Sequence, residues 1–234
     1  FVLFQNVSTI NHKVAAHYRK AGSKILYVYH EPFDSISEYL KEGIKQAVKA
    51  VAAHYFSTKL LKLSDLVIVP SNFALKLYQK SDIKYCKNVE VIPLLFDDEL
   101  KESLDINKKE YLSYIGHAVV GHAFDVYLDF IKYAYKKGSK LKFMIATRTN
   151  LSKYLSKDKT LQEMISKGVL EVIHSKSLKN SEINHAYLKS FCVWNVYRRS
   201  TQSGVLPKAF MFGTPVLASG IGSFPEYIRD GKNG

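Results

Sequence analysis

The chain has 234 residues, 47% of them hydrophobic, enough for one large core or two small ones. With 34 Lys and Arg against 21 Asp and Glu its formal net charge is +13, so an anionic partner is expected: nucleotide phosphates, an acidic membrane surface or nucleic acid. Nucleic acid is disfavoured, because the lysines are spread along helical stretches without an arginine-rich arm, helix-turn-helix, ribonucleoprotein or zinc-finger pattern.

Two cysteines, Cys86 and Cys192, are too few for a disulfide framework and too distant for a metal motif, which fits a reducing, cytoplasmic compartment. No apolar run reaches the roughly 18 residues of a spanning helix, so the expected location is cytoplasmic, with a peripheral position at a membrane as a further option. The chain opens on Phe1 in an apolar run and stops in a turn sequence at Gly234, and it reads as truncated at both ends.

In chain order, the apolar run 1–4 predicts a strand, 12–20 a helix, and the β-branched and aromatic run 24–29 a second strand. Residues 35–63 carry apolar residues at three and four spacing with lysines between, predicting one long amphipathic helix bent near Gly43. Its lysines make either a solvated outer face or a basic face for anionic lipid. A buried-strand pattern at 66–69 is followed by Pro70 and by Ser71, an N-cap for a helix through Gln79, and 89–92 is a further strand. Residues 96–110 are polar and without apolar period, and are expected to link a domain 1–95 to a domain 111–234.

The second half repeats the alternation, with strands at 111–115, 141–146, 169–173, 191–195 and 215–218. Helices are expected at 123–137, in the lysine-rich stretch after 146, at 181–189, at 204–212 and near the end. Strands alternating with helices imply parallel sheets covered on both faces, which bind ligands beyond the carboxyl ends of their strands. His30 ends a strand beside Glu31, so it either contacts a substrate or caps a turn. Cys192 and Trp194 sit in an apolar strand and read as core.

Between Tyr197 and Phe212 a polar loop runs into a helix that Ser203 can cap. Its N-terminal amides, Gly204 and the nearby Arg198 and Arg199 form either a phosphate cradle or an ordinary capped helix with surface arginines. Pro207 suits a first turn, where its missing N–H costs nothing.

The run Gly213-Thr214-Pro215-Val216-Leu217-Ala218-Ser219, then Gly220, Gly222, Pro225-Glu226 and Asp230-Gly231-Lys232-Asn233-Gly234, resembles the donor-domain signature of the retaining glycosyltransferases of family 4. The run from Ser64 through Pro70-Ser71, with Val91-Ile92-Pro93, is similar to the end of that family's N-terminal domain. His30-Glu31-Pro32 resembles its acceptor-side strand end, as in phosphatidylinositol mannosyltransferases.

The resemblance implies a GT-B fold, α/β with two Rossmann-like domains, the first incomplete. It implies a retaining, metal-independent transfer of sugar from a nucleotide diphosphate sugar, which is substrate rather than cofactor, to a carbohydrate or lipid-linked acceptor. His30 would be catalytic, and Gly116, His117, His122, Arg148, Arg199, Ser200, Ser203, Gly204, Val205 and Lys208 would bind the donor. An early part of the N-terminal domain, with its glycine-rich loop, and the closing C-terminal helices would lie outside the sequence.

Two departures stand out. Ser200 and Lys208 occupy positions where the family carries glutamates, so the usual ribose clasp is missing. Histidines at 117 and 122 stand where it carries an arginine and a lysine, and Arg148 and Arg199 are the candidates to supply permanent charge. A GT-B-type epimerase and a non-catalytic sugar-nucleotide or partner-binding module are the alternatives.

Overall fold

The computed structural model describes residues 1–100 and 108–234. The chain divides into two compact units. One comprises Phe1–Leu95 with the short segment Ser200–Gln202, the other Phe96–Arg199 with Ser203–Gly234.

The first unit is a four-stranded parallel sheet of β1 (Val2–Phe4), β2 (Ile25–Val28), β3 (Leu66–Val69) and β4 (Val89–Val91), in that order. Leu26 pairs with Leu66 and Val67 with Val89. Helices α1 (Asn11–Lys20), α2 (Ile36–Leu40), α3 (Ile44–Leu61) and α4 (Asn72–Ser81) connect the strands. Ile25, Tyr27, Leu60, Leu61, Val67, Val69 and Tyr78 fill the core.

The single bent helix expected over 35–63 is two helices. Gly43 takes φ 113°, a conformation that side-chain-bearing residues rarely adopt, and the chain turns there before α3 begins. Ser35 caps α2 by accepting from the Glu38 amide.

The second unit holds a five-stranded parallel sheet in the order β7-β6-β5-β8-β9, with β5 (Tyr111–Ile115), β6 (Lys142–Thr147), β7 (Leu170–His174), β8 (Ser190–Asn195) and β9 (Val216–Ala218). Its helices are α5 (Phe124–Lys136), α6 (Ser152–Leu155), α7 (Lys159–Ser166), α8 (Asn180–Lys189), α9 (Val205–Met211) and α10 (Phe224–Tyr227). The lysine-rich stretch after β6 becomes α6 and α7, because Asp158 accepts from the Thr160 and Leu161 amides and starts a new helix.

Apolar clusters line both faces of this sheet, as a doubly covered parallel sheet requires. On one face Trp194 packs against Tyr127 and Phe130, and the buried Tyr127 hydroxyl bonds the Leu112 and Met144 carbonyls at 2.8 and 2.9 Å. Cys192 is half-buried against the same cluster.

The linker expected over 96–110 lies partly outside the described residues. Of its described ends, Lys109 is tied to the second unit: its ammonium donates to Phe212 O, Gly213 O and Thr214 Oγ1 at 3.1, 3.0 and 2.7 Å. A cation on the last carbonyls of α9 complements the negative end of the helix.

Candidate functional site

In the second sheet the chain steps from β5 through β6 to β7 on one side, then returns to lay β8 and β9 on the other. The order therefore reverses between β5 and β8, and the loops leaving those two strands diverge at their carboxyl ends. Open α/β sheets bind ligands at this point, where diverging loops leave a crevice lined by backbone amides.

The loop after β5 begins at Gly116, with φ 126°; a Cβ there would stand 3.5 Å from Val205 Cγ2, so this loop runs against the start of α9. His117 is exposed, and its carbonyl accepts from the Tyr114 hydroxyl at 2.5 Å, the Val119 amide at 3.0 Å and His122 Nδ1 at 3.2 Å. The His122 ring therefore carries a proton on Nδ1, and it stacks on Tyr197 with ring centroids 4.1 Å apart and planes 5° apart. After the 3₁₀ turn Val120–His122, Ala123 sits in the left-handed region at φ 49°, a strained position of about 1 kcal/mol or more for alanine.

The loop after β8 is pinned to the first. The Arg198 amide donates to Gly121 O, and its guanidinium bonds Val120 O and forks onto Asp125 at 2.8 and 2.7 Å. Asp125 is held below the usual carboxylate range by that guanidinium. Arg198 is thus a structural clasp between the two loops, with its charge matched, and Arg199 is the half-buried cation beside it.

The start of α9 differs from its expected form. Gly204, in helical conformation, is the N-cap residue and no side chain caps the helix; the Ser203 hydroxyl instead accepts from the Val205 amide at 3.2 Å. The Phe96 ring lies 3.7 Å from where a Gly204 Cβ would stand, so part of the space expected for a ligand beside that backbone is occupied.

Lys208, read from sequence as a phosphate ligand or a solvated lysine, is neither open to solvent nor unpaired. Its ammonium lies 2.8 Å from Glu99 Oε1 and 3.5 Å from Asn184 Oδ1, with side chains 16% and 21% exposed for the ion pair. Hydrogen bonds from Lys208 and Asn184 hold the Glu99 carboxyl below its ordinary value. Arg148 turns the other way, giving Nε and Nη2 to Leu178 O at 3.0 and 2.8 Å and Nη2 to Asn180 Oδ1. It braces the loop between β7 and α8.

Ser200 groups with the first unit, where its hydroxyl donates to Gln202 O at 2.9 Å. In that unit His30 lies just beyond β2, and its Nδ1 is 3.1 Å from the Gln202 side-chain amide. Three residues on, the Phe33 ring stacks on His54 at 4.2 Å, and His54 Nδ1 is 3.7 Å from the fully buried Asp82. Burial pushes Asp82 up and His54 down.

The structure therefore brings Gly116, His117, His122, Ser203, Gly204 and Val205 to the β5 and β8 strand ends, and gives Arg148 and Lys208 other partners. Sequence reasoning missed Glu99, Asp125 and Tyr197. An acidic residue in the first turn of α5 was the one signal for Asp125, and nothing local marked Glu99 as the partner of Lys208.

No family model and no curated protein matches the chain. Among solved structures it is similar to the pneumococcal O-GlcNAc transferase GtfA in complex with UDP and GlcNAc, with a TM-score of 0.74 and 16% identity over 99% of this chain and 44% of that one. Anabaena HepE in complex with UDP and glucose matches at 0.63 and 14%, over 98% and 62%. Sucrose-phosphate synthase from Thermosynechococcus elongatus matches at 0.66 and 14%, over 95% and 57%. The fold is that of the GT-B glycosyltransferases: α/β, with parallel sheets of four and five strands. The chain spans about half the length of these structures.

Proposed function

We propose that the chain is the donor-binding part, with a portion of the acceptor side, of a retaining glycosyltransferase of family 4 that uses a UDP-sugar. Fold alone does not carry function, so the reading rests on the site. The observation that supports it most is the reversal of strand order between β5 and β8, whose loops are clasped by Arg198 and meet the uncapped start of α9. Two of the solved structures of similar fold hold UDP and a sugar.

In this reading the diphosphate meets backbone N–H groups at the start of α9, the Arg199 guanidinium and His117. These groups stabilise the negative charge that grows on the leaving diphosphate as the glycosidic bond breaks, and they do so without a metal ion. Gly116 keeps the backbone beside Val205 clear of a side chain. His30, in the first unit, is the group that contacts the acceptor in this reading. The acceptor is a carbohydrate or a lipid-linked glycan, presented at an anionic membrane surface.

Titration with UDP and uridine tests the donor site. UDP at a hundred times its dissociation constant is expected to stabilise the chain by about 2.7 kcal/mol, with uridine far weaker. Arg199→Ala should remove roughly 1.5–3 kcal/mol from UDP binding and leave uridine unchanged. No thermal shift with any nucleoside diphosphate, in this chain or its full-length parent, would sink the reading.

A further inference from the structure

The chain enters the second unit through a short irregular segment, residues 96–100, that lies along α9. Asp98 turns it by accepting from the Leu100 amide at 3.0 Å, with Glu99 between them. Phe96 and Glu99 point inward and are half-buried, whereas Asp97, Asp98 and Leu100 are exposed. The two inward side chains meet two residues of one helix. The Phe96 ring is 3.7 Å from the place of a Gly204 Cβ, and Glu99 Oε1 is 2.8 Å from the Lys208 ammonium. Gly204 and Lys208 are one helical turn apart, so they share a face. Asn184 of α8 steadies the carboxylate, giving Nδ2 to Glu99 Oε2 at 2.6 Å.

The order of burial in this segment is the reverse of what packing alone favours. Leu100 is 45% exposed, whereas the Glu99 side chain is only 21% exposed. A segment laid down for stability alone would bury the leucine and leave the carboxylate in water. The ion pair accounts for the inversion, and it sets an anion on the single ammonium group of α9.

We propose that residues 96–99 are a built-in competitor of the nucleotide. Glu99 holds Lys208 in the way a donor phosphate would, Phe96 covers the backbone at Gly204, and the segment lifts when the donor binds. The inference rests on the donor reading of this site and adds its regulation. A part-exposed ion pair is a weak hold, and a diphosphate brings more negative charge than one carboxylate, so the exchange favours the nucleotide. While the segment is down, the apparent affinity is the intrinsic one reduced by the uncovered fraction. Loosening the segment therefore tightens donor binding, the opposite of what removing a ligand contact would do.

Calorimetric titration with UDP and hydrogen exchange test it, on variants whose fold is checked by circular dichroism. Glu99→Gln, which keeps the size of the side chain and removes its charge, should bind UDP about fivefold more tightly than the unaltered chain. Phe96→Ala/Glu99→Gln should bind more tightly still. Lys208→Met in the Glu99→Gln background should cancel the gain, because the gain needs the ammonium. On adding UDP to the unaltered chain, amide exchange in peptides containing residues 96–100 should quicken. UDP affinity unchanged or weaker in Glu99→Gln, a gain that survives Lys208→Met, or protection of the segment by UDP overturns the proposal. The two readings fail differently: UDP binding that the variants do not tighten sinks the competitor alone, whereas no UDP binding in the unaltered chain or any variant sinks the donor site and the competitor with it.

Discussion

Helices α4 and α9 both leave the end of a parallel strand through a short polar loop containing a serine, and they begin in opposite ways. At α4 Ser71 is extended and buried, and its hydroxyl takes the Ala74 amide at 3.0 Å while donating to Thr201 O at 2.9 Å. The chain thus closes that helix start with its own atoms. At α9 Gly204 has already entered the helical conformation, Ser203 reaches only the Val205 amide, and Pro207 contributes no donor at all. A closed start stabilises the fold, whereas in the proposed reading the start of α9 keeps backbone donors for the diphosphate.

Substitutions at the two starts should therefore separate stability from binding. The largest effect is expected from Gly116→Val. A β-branched residue at φ 126° costs about 1–3 kcal/mol of strain, and its side chain would press on Val205 at the mouth of α9. Denaturant unfolding should record the loss, and UDP binding should disappear; retained binding would move the ligand away from α9.

Next in size, Ser71→Ala should destabilise by about 1 kcal/mol through the lost cap. Ser203→Ala, which loses one bond at the very start of the helix, should cost less than about 0.5 kcal/mol and leave UDP affinity within about threefold. Equal losses at the two serines would erase the distinction between the helix starts.

Smaller again is Lys208→Met. The ion pair with Glu99 is partly exposed, so its loss should cost about 0.5–1 kcal/mol, read from thermal unfolding. Lys208→Glu should cost more, through repulsion with Glu99, and the added cost should shrink as salt is raised.

The pH dependence is the subtlest test. Glu99 is held low by Lys208 and Asn184, so its contribution is fully present above the unfolded carboxylate value of about 4.3 and is lost as pH falls through the lower folded value. In Lys208→Met that acid limb should flatten, and an unchanged limb would show that Lys208 does not hold Glu99.

The elements themselves were readable because buried parallel strands appear as unbroken apolar runs such as Leu66–Val69, and their ends coincide with turn residues. Gly116, His117 and His122 came from the family resemblance and Ser203, Gly204 and Val205 from the loop-to-helix pattern, and the structure places all six in the loops that leave β5 and β8. Partner identity was not readable. Lys208 finds Glu99 and Arg198 finds Asp125 through folding distances that no local pattern encodes. The break at Gly43 was legible as a glycine but not as a full turn of the chain, because a helical pattern of apolar residues continues across it.

Trp194 is the chain's one tryptophan, and its burial against Tyr127 and Phe130 makes it an optical witness for the second unit alone. Emission excited at the indole band follows the five-stranded sheet through unfolding and is blind to the four-stranded one, which far-ultraviolet dichroism registers along with it. A denaturation midpoint that differs between the two signals would count the cooperative units directly, and the signal that moves on adding UDP would identify the unit that holds it.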